Sequence, residues 1–337
     1  MLDKIIINDD SNVRTICIDT ARATISTNAP GGVYPVMKLS HNSGDVLKVN
    51  KTTISTCNVE FLAHALKTNG AAFNAVYGYI YGDIAASIKI TRAAFYNSFN
   101  DDLNLFVEFF TSCNASTKRE IIYDHITFNH EAKMNGIISI STFVGANRYC
   151  LARCKNCAAI CSHCYANSLT KQRAGLKNKL RRVHAIFTQV ELSAADIPII
   201  DASIYKFFRF EAFGDLNNKL QVKNYNLFAV VNSGVNFTLW AKNPGIIQAA
   251  INDGLQLADN LVIGLSSLYL NMPDIKTARK YPFVRFLFTV YDNEYIDAHN
   301  IVINCGAKHC ITCGICYDYL HKYGNTGDLY IINERLK

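Results

Sequence analysis

Apolar and polar positions follow two regimes along the chain. In the first 130 or so residues, short runs of β-favouring residues occur at 4–8, 13–19, 33–39 and 46–49. Turn-forming residues separate them, such as Asn28, Pro30, Gly31 and Gly32, then Asn42, Ser43, Gly44 and Asp45. Apolar residues at helical spacing follow, at 59–67, 71–86 and 103–112. This pattern predicts an α+β accessory domain over 1–134.

From residue 135 the pattern becomes a strand–helix alternation. Strands are expected at 136–143, 205–213, 236–241, 260–266, 284–291 and 301–304. Helices are expected at 171–192, 220–232, 244–252, 274–280 and 294–299, with Pro244 in a first turn and Gly254 as a stop. Such alternation predicts a parallel sheet or an open (β/α) barrel over 135–304, with ligand groups at the strand carboxyl ends. Residues 305–337 form a third, cysteine-rich segment.

Composition changes this picture little. Half of the 337 residues are hydrophobic and 18% are charged, which excludes a disordered chain. The length suggests about two domains. No uncharged apolar run reaches a membrane span of roughly 20 residues. The first ten residues lack a basic segment ahead of an apolar core, so a cytoplasmic protein is expected. The net charge of +7 is compatible with an anionic partner. Six basic residues within 171–183 predict a helix face that could track nucleic-acid phosphates or simply be solvated.

Cysteine carries the chemistry. Of twelve cysteines, five fall within 150–164 (Cys150, Cys154, Cys157, Cys161, Cys164) and four within 305–316 (Cys305, Cys310, Cys313, Cys316). The first group contains the C-x3-C-x2-C spacing twice, as 150/154/157 and 157/161/164. Three thiolates so placed can bind three irons of a cubane cluster and leave the fourth open. Zinc bound by the pairs 154/157 and 161/164 is the competing expectation. The second group suits a closed iron–sulfur cluster or zinc about equally, and His309 could replace one thiol.

Cys157, Cys161 and Cys164, followed by Tyr165 and Ala166, resemble the cluster loop of the radical S-adenosylmethionine (SAM) enzymes. The likeness covers roughly 135–316 and is closest to phage-encoded gene products with a reduced barrel of that type. It implies an open partial (β/α)6 TIM-like barrel and a catalytic [4Fe–4S] cluster, with a second cluster or zinc at the C-terminal cysteines. It also implies reductive cleavage of SAM to a 5′-deoxyadenosyl radical acting on an unspecified substrate, with a flavodoxin or ferredoxin as electron donor. Where the family has a Gly-Gly-Glu-like segment after strand two, this chain has Glu211, Gly214 and Asp215, which would meet the methionyl end. Lys242 after strand three, and Ser266 and Ser267 after strand four, are further cofactor candidates. Trp240, the only tryptophan, is expected in the core. A second functional class remains open: a metal-stabilised, non-catalytic binding protein that uses the basic face at 171–183.

Overall fold

The computed structural model describes seven N-terminal strands by their backbone and, beyond them, residues 96, 99–100, 102–130, 132–155, 160–317 and 328–336. The chain divides into two compact units, Met1–Cys113 and Asn114–Lys337.

In the first unit the strands are β1 (Leu2–Asp9), β2 (Asn12–Asp19), β3 (Thr24–Thr27), β4 (Tyr34–Met37), β5 (Val46–Val49), β6 (Ile54–Ser55) and β7 (Ile90–Thr91). They form one sheet in the order β1-β2-β3-β4-β6-β5-β7. All pairings are antiparallel except β4 with β6. The helices expected at 59–67 and 71–86 lie outside the described residues. Helix α1 (Leu103–Ser112) forms where its spacing predicts. The Asp102 carboxylate caps it by accepting from the Asn104 and Leu105 N–H groups, and Phe106 and Phe110 are buried.

The second unit is α/β. Its elements run α2 (Ala115–Asp124), β8 (Thr127–Phe128), β9 (Ile138–Ile140), α3 (Arg148–Cys154), α4 (Tyr165–Gln172), α5 (Ala174–Gln189), β10 (Phe207–Phe210), α6 (Lys219–Val231), β11 (Asn236–Ala241), α7 (Pro244–Asn252), β12 (Leu261–Ser266), α8 (Ile275–Lys280), β13 (Val284–Tyr291), α9 (Asn293–His299), α10 (Cys310–Cys313) and β14 (Tyr330–Arg335). Strands β9 to β14 are parallel and lie side by side in sequence order, and β8 pairs antiparallel with β9. Right-handed crossovers in an order that never reverses put their helices on one face. Accordingly α5 packs on α6 and α6 on α7.

Side-chain alternation then assigns the faces. On β10, Phe208 and Phe210 point to the helices and meet Phe228 of α6. Phe207 and Arg209 point the other way, where Phe207 stacks on Tyr317. On that second face Trp240, Phe286 and Phe288 pack together. Gly264 makes this possible: a Cβ there would stand 2.1 Å from the Phe286 ring, so glycine lets that ring lie across β12. Buried asparagines tie down the connections. Asn224 of α6 accepts from the Leu192 N–H and donates to the Phe187 and Val190 carbonyls.

Four expectations are corrected. The strand at 136–143 is confined to Ile138–Ile140, ahead of a 3-10 turn at Val144–Ala146. The helix predicted at 171–192 is broken at Arg173, which is extended between α4 and α5. The strand at 205–213 is shorter, because Glu211 turns the chain with φ of +56°. The segment 301–304 is not a strand, and the sixth parallel strand is β14. Residues 302–305 do run beside β14, but asparagine side chains stand in for much of the ladder. Asn304 Oδ1 accepts from the Asn333 N–H at 2.8 Å, and Asn333 Nδ2 donates to the Val302 carbonyl. The second cysteine segment therefore precedes the last strand instead of following it.

Candidate functional site

A cavity of about 500 Å³ opens along the carboxyl ends of the parallel sheet and the face opposite α5, α6 and α7. Both cysteine segments reach it. Its wall includes Cys150, Cys154, Cys161 and Cys164 from the first segment and Cys305, Cys310 and Cys316 from the second. Cys157 lies outside the described residues.

The first segment is anchored before its cysteines begin. Asn147 caps α3 by accepting from the Cys150 N–H at 3.1 Å, and it donates to the carbonyls of Asp215 and Leu216. Cys150 and Cys154 then share one face of α3 at i, i+4. The next described residues, Ile160–His163, form a 3-10 turn whose Ile160 N–H donates to the Leu268 carbonyl. Cys164 follows at the N-cap of α4, and the Tyr165 hydroxyl donates to the Ala212 carbonyl. Cys150 is buried beside Val144 and Ala166. Burial lifts its thiol far above the ordinary value. Cys154 is raised to about 11, by burial and then by the neighbouring Cys164 and Cys161 thiols, the first of which it meets in a hydrogen bond. Burial also raises Cys161.

Lys242 supplies the opposing charge. Burial works against its ammonium, but Asp215 and then the thiols of Cys161, Cys150 and Cys164 hold its pKa above the ordinary lysine value. Asp215 itself does not line the cavity. Its carboxylate accepts from the backbone N–H groups of Leu216 (2.8 Å) and Lys242 (3.0 Å), and so clamps the loop after β10 to the end of β11.

Glu211 lines the cavity, yet its carboxylate is taken up by the protein. It accepts from the Thr142 N–H and hydroxyl, from Gln221 Nε2 at 2.6 Å and from the Tyr225 hydroxyl at 2.5 Å. Burial pushes its pKa up to about 8, although the Tyr225 and Thr142 donors pull it down. Gly214 closes over this group: a Cβ there would stand 2.5 Å from Glu211 Oε2 and 2.8 Å from the Thr142 carbonyl. Glu211 and Gly214 thus shape one loop. Of the two serines, Ser267 shares a 2.7 Å hydrogen bond with Thr289 and also accepts from the Asp274 N–H. The Ser266 hydroxyl faces the cavity with no protein partner among the described residues.

The second segment lies across the sheet. Cys316 presents its carbonyl to the Thr238 hydroxyl at 2.7 Å. Lys133 Nζ stands 2.5 Å from Glu334 and 3.1 Å from Cys305 Sγ. Cys313 is not on the cavity wall. Among the described residues, no group of three or more His, Cys, Asp or Glu is arranged to hold a metal ion. The four thiols of this segment are all described, so they must shift to share an ion. The first segment offers the softer test. Its four described thiols, Cys150, Cys154, Cys161 and Cys164, would also have to shift to share an ion, but Cys154, Cys161 and Cys164 act on one another beside the Lys242 ammonium, and thiolates are the ligands that iron–sulfur clusters and zinc select.

Three placements go beyond the sequence expectations. Arg209 and Trp240 both line the cavity, and the Tyr149 hydroxyl reaches the Lys242 carbonyl at 3.1 Å. One signal was present for Arg209, the single charge in the otherwise aromatic run 207–210. The basic face at 171–183 is thinner than its composition suggests. Lys179 donates to the Ile126 carbonyl, and Arg182 is buried against His125 Nε2. No helix among the described residues is long and apolar enough to cross a membrane. No protein-family model, no curated protein and no solved structure matches this chain.

Proposed function

We propose that this chain is a radical-SAM-like iron–sulfur enzyme, its second unit an open partial (β/α)6 barrel. The observation that carries this reading is one shared cavity at the strand carboxyl ends. There Cys154, Cys161 and Cys164 share a wall with Lys242, Ser266 and the Glu211–Gly214 loop. Cys157, Cys161 and Cys164 would hold three irons of the cluster. Such a cluster, if bound there, would supply the electron for reductive C–S cleavage of SAM to a 5′-deoxyadenosyl radical.

The chain's own residues would do the rest. The Lys242 ammonium offsets thiolate charge at Cys161 and Cys164. Glu211, held by Thr142, Gln221 and Tyr225, fixes the turn at 212–214 so that its backbone meets the methionyl end. The Ser266 hydroxyl is placed to bond a ribose hydroxyl. Val144, Phe213, Phe288 and Val290 line the cavity with apolar surface that excludes water. A small reduced flavodoxin or ferredoxin is the class of electron donor that this chemistry requires.

Anaerobic purification with iron, sulfide and zinc analysis tests the proposal, with EPR after dithionite reduction in the presence and absence of SAM. Iron and sulfide near four or eight per chain, a SAM-perturbed signal and formation of 5′-deoxyadenosine are expected. Cys161→Ala and Cys164→Ala should each lose the perturbed signal. A cluster indifferent to SAM removes the radical mechanism. Stoichiometric zinc without iron, after anaerobic reconstitution with iron and sulfide, overturns the whole assignment.

A further inference from the structure

The sheet face of the cavity carries a cation that is paired with no carboxylate among the described residues. Arg209 forms no ion pair among the described residues. Its Nε is buried without a hydrogen-bond acceptor, and the rest of the fork meets only uncharged partners, the Met134 sulfur at 3.9 Å and the Tyr317 phenol. The ionisable groups that act on it most strongly are the Tyr317 and Tyr165 phenols and the Cys316 and Cys310 thiols, none of them a carboxylate. A part-buried guanidinium with no carboxylate partner is costly, and an oxyanion that reaches it relieves the cost.

The surroundings hold this cation ready. Its guanidinium carbon lies 4.2 Å from the centre of the Trp240 ring. The indole is wedged against Phe288 at 4.5 Å and Phe286 at 5.6 Å, in the space Gly264 leaves. Cation–π contact and close packing fix the plane of the fork, so little order is lost when a ligand docks. Trp240 Nε1 is a second N–H without an acceptor. The neighbouring cavity wall is apolar, which strengthens any charged hydrogen bond made there.

We propose that Arg209, steadied by Trp240, is the anchor for the oxyanion of a small-molecule ligand, a carboxylate or a phosphate, bound at the sheet face of the cavity. This rests on the cavity alone and does not depend on SAM chemistry. A phosphate and a carboxylate both match the planar donor fork, and the experiment separates them.

Because Trp240 is the sole tryptophan, its emission reports from the site itself. Full-length protein, with its metal content measured, is titrated with inorganic phosphate, pyrophosphate and glutarate, each against chloride at equal ionic strength. A saturable change in emission with the phosphates, or with glutarate, is expected and identifies the class. Arg209→Gln should weaken it at least tenfold with metal content unchanged. Arg209→Lys keeps the charge but loses the fork, so it should bind with intermediate strength; it carries the same test if the glutamine variant does not fold. Responses no different from chloride overturn the proposal. So does an Arg209→Gln protein that keeps the anion response and loses metal, since the guanidinium would then serve the Cys310 and Cys316 thiolates. Neither result bears on whether SAM is cleaved.

Discussion

Glu211 shows how a single residue can be conspicuous in sequence and still act differently in the fold. A carboxylate next to Gly214 and Asp215 invites a role in binding an ammonium. In the structure four donated hydrogen bonds saturate it, and its left-handed backbone ends β10. Its acidity has a stability consequence. Burial raises its pKa from 4.5 to about 8, so between those values the unfolded chain releases a proton that the folded chain keeps. This contribution is therefore fully present below pH 4.5 and is lost as pH rises towards 8. Glu211→Gln should remove that slope: in thermal melts from pH 5 to pH 9, the wild-type midpoint should fall relative to the variant's and level off above pH 8. Parallel curves would show that Glu211 is ionised throughout. The buried His125 has the opposite sign. Burial, reinforced by Arg182, lowers it to about 3, so its contribution is present above pH 6.5 and lost as pH falls.

At the level of elements, local pattern and tertiary context agree for two strands and a helix in the middle of the second unit. Asn236–Ala241, Pro244–Asn252 and Val284–Tyr291 run between the residues their patterns predict. Their apolar periodicity and the helix-start proline are properties of the segment itself. The segment at 301–304 fails for a stated reason. Ile301, Val302 and Ile303 have strand character, but Asn304 and Asn333 exchange side-chain bonds with the opposing backbone, so only a partial ladder forms. This clip positions Cys305, whose N–H donates to the Asn333 carbonyl. These bonds are solvent-exposed, and a typical intramolecular hydrogen bond contributes about 0.5–1.5 kcal/mol net. Asn304→Ala should cost that much locally, with faster amide exchange at Cys305 and faster alkylation of its thiol. An unchanged exchange rate would mean that the clip does not hold the segment.

At the scale of the molecule, residues 114–337 contain all seven strands of the second sheet and their own core. Produced alone, this stretch should retain its helix and sheet content by circular dichroism and keep the Trp240 emission maximum of the full chain. A red-shifted emission would show that the first 113 residues complete the fold. The sequence by itself determined the parallel α/β class, most element boundaries and the two cysteine segments, because short-range periodicity and ligand spacing are written along the chain. It also marked Glu211, Gly214, Lys242 and Ser266, four of the residues that meet at the cavity. Only the tertiary structure decided which of these present free groups to that cavity. Burial turned the Glu211 and Asp215 carboxylates into supports for loops, whereas the Ser266 hydroxyl stayed open. Only the tertiary structure, too, brought Arg209 beside Trp240. Those residues are far apart in sequence, and it is the pairing of β10 with β11, which sets Arg209 opposite Thr238, that stacks the guanidinium on the indole two residues on. Charge compensation depends on what lies across that register, and no local pattern encodes it.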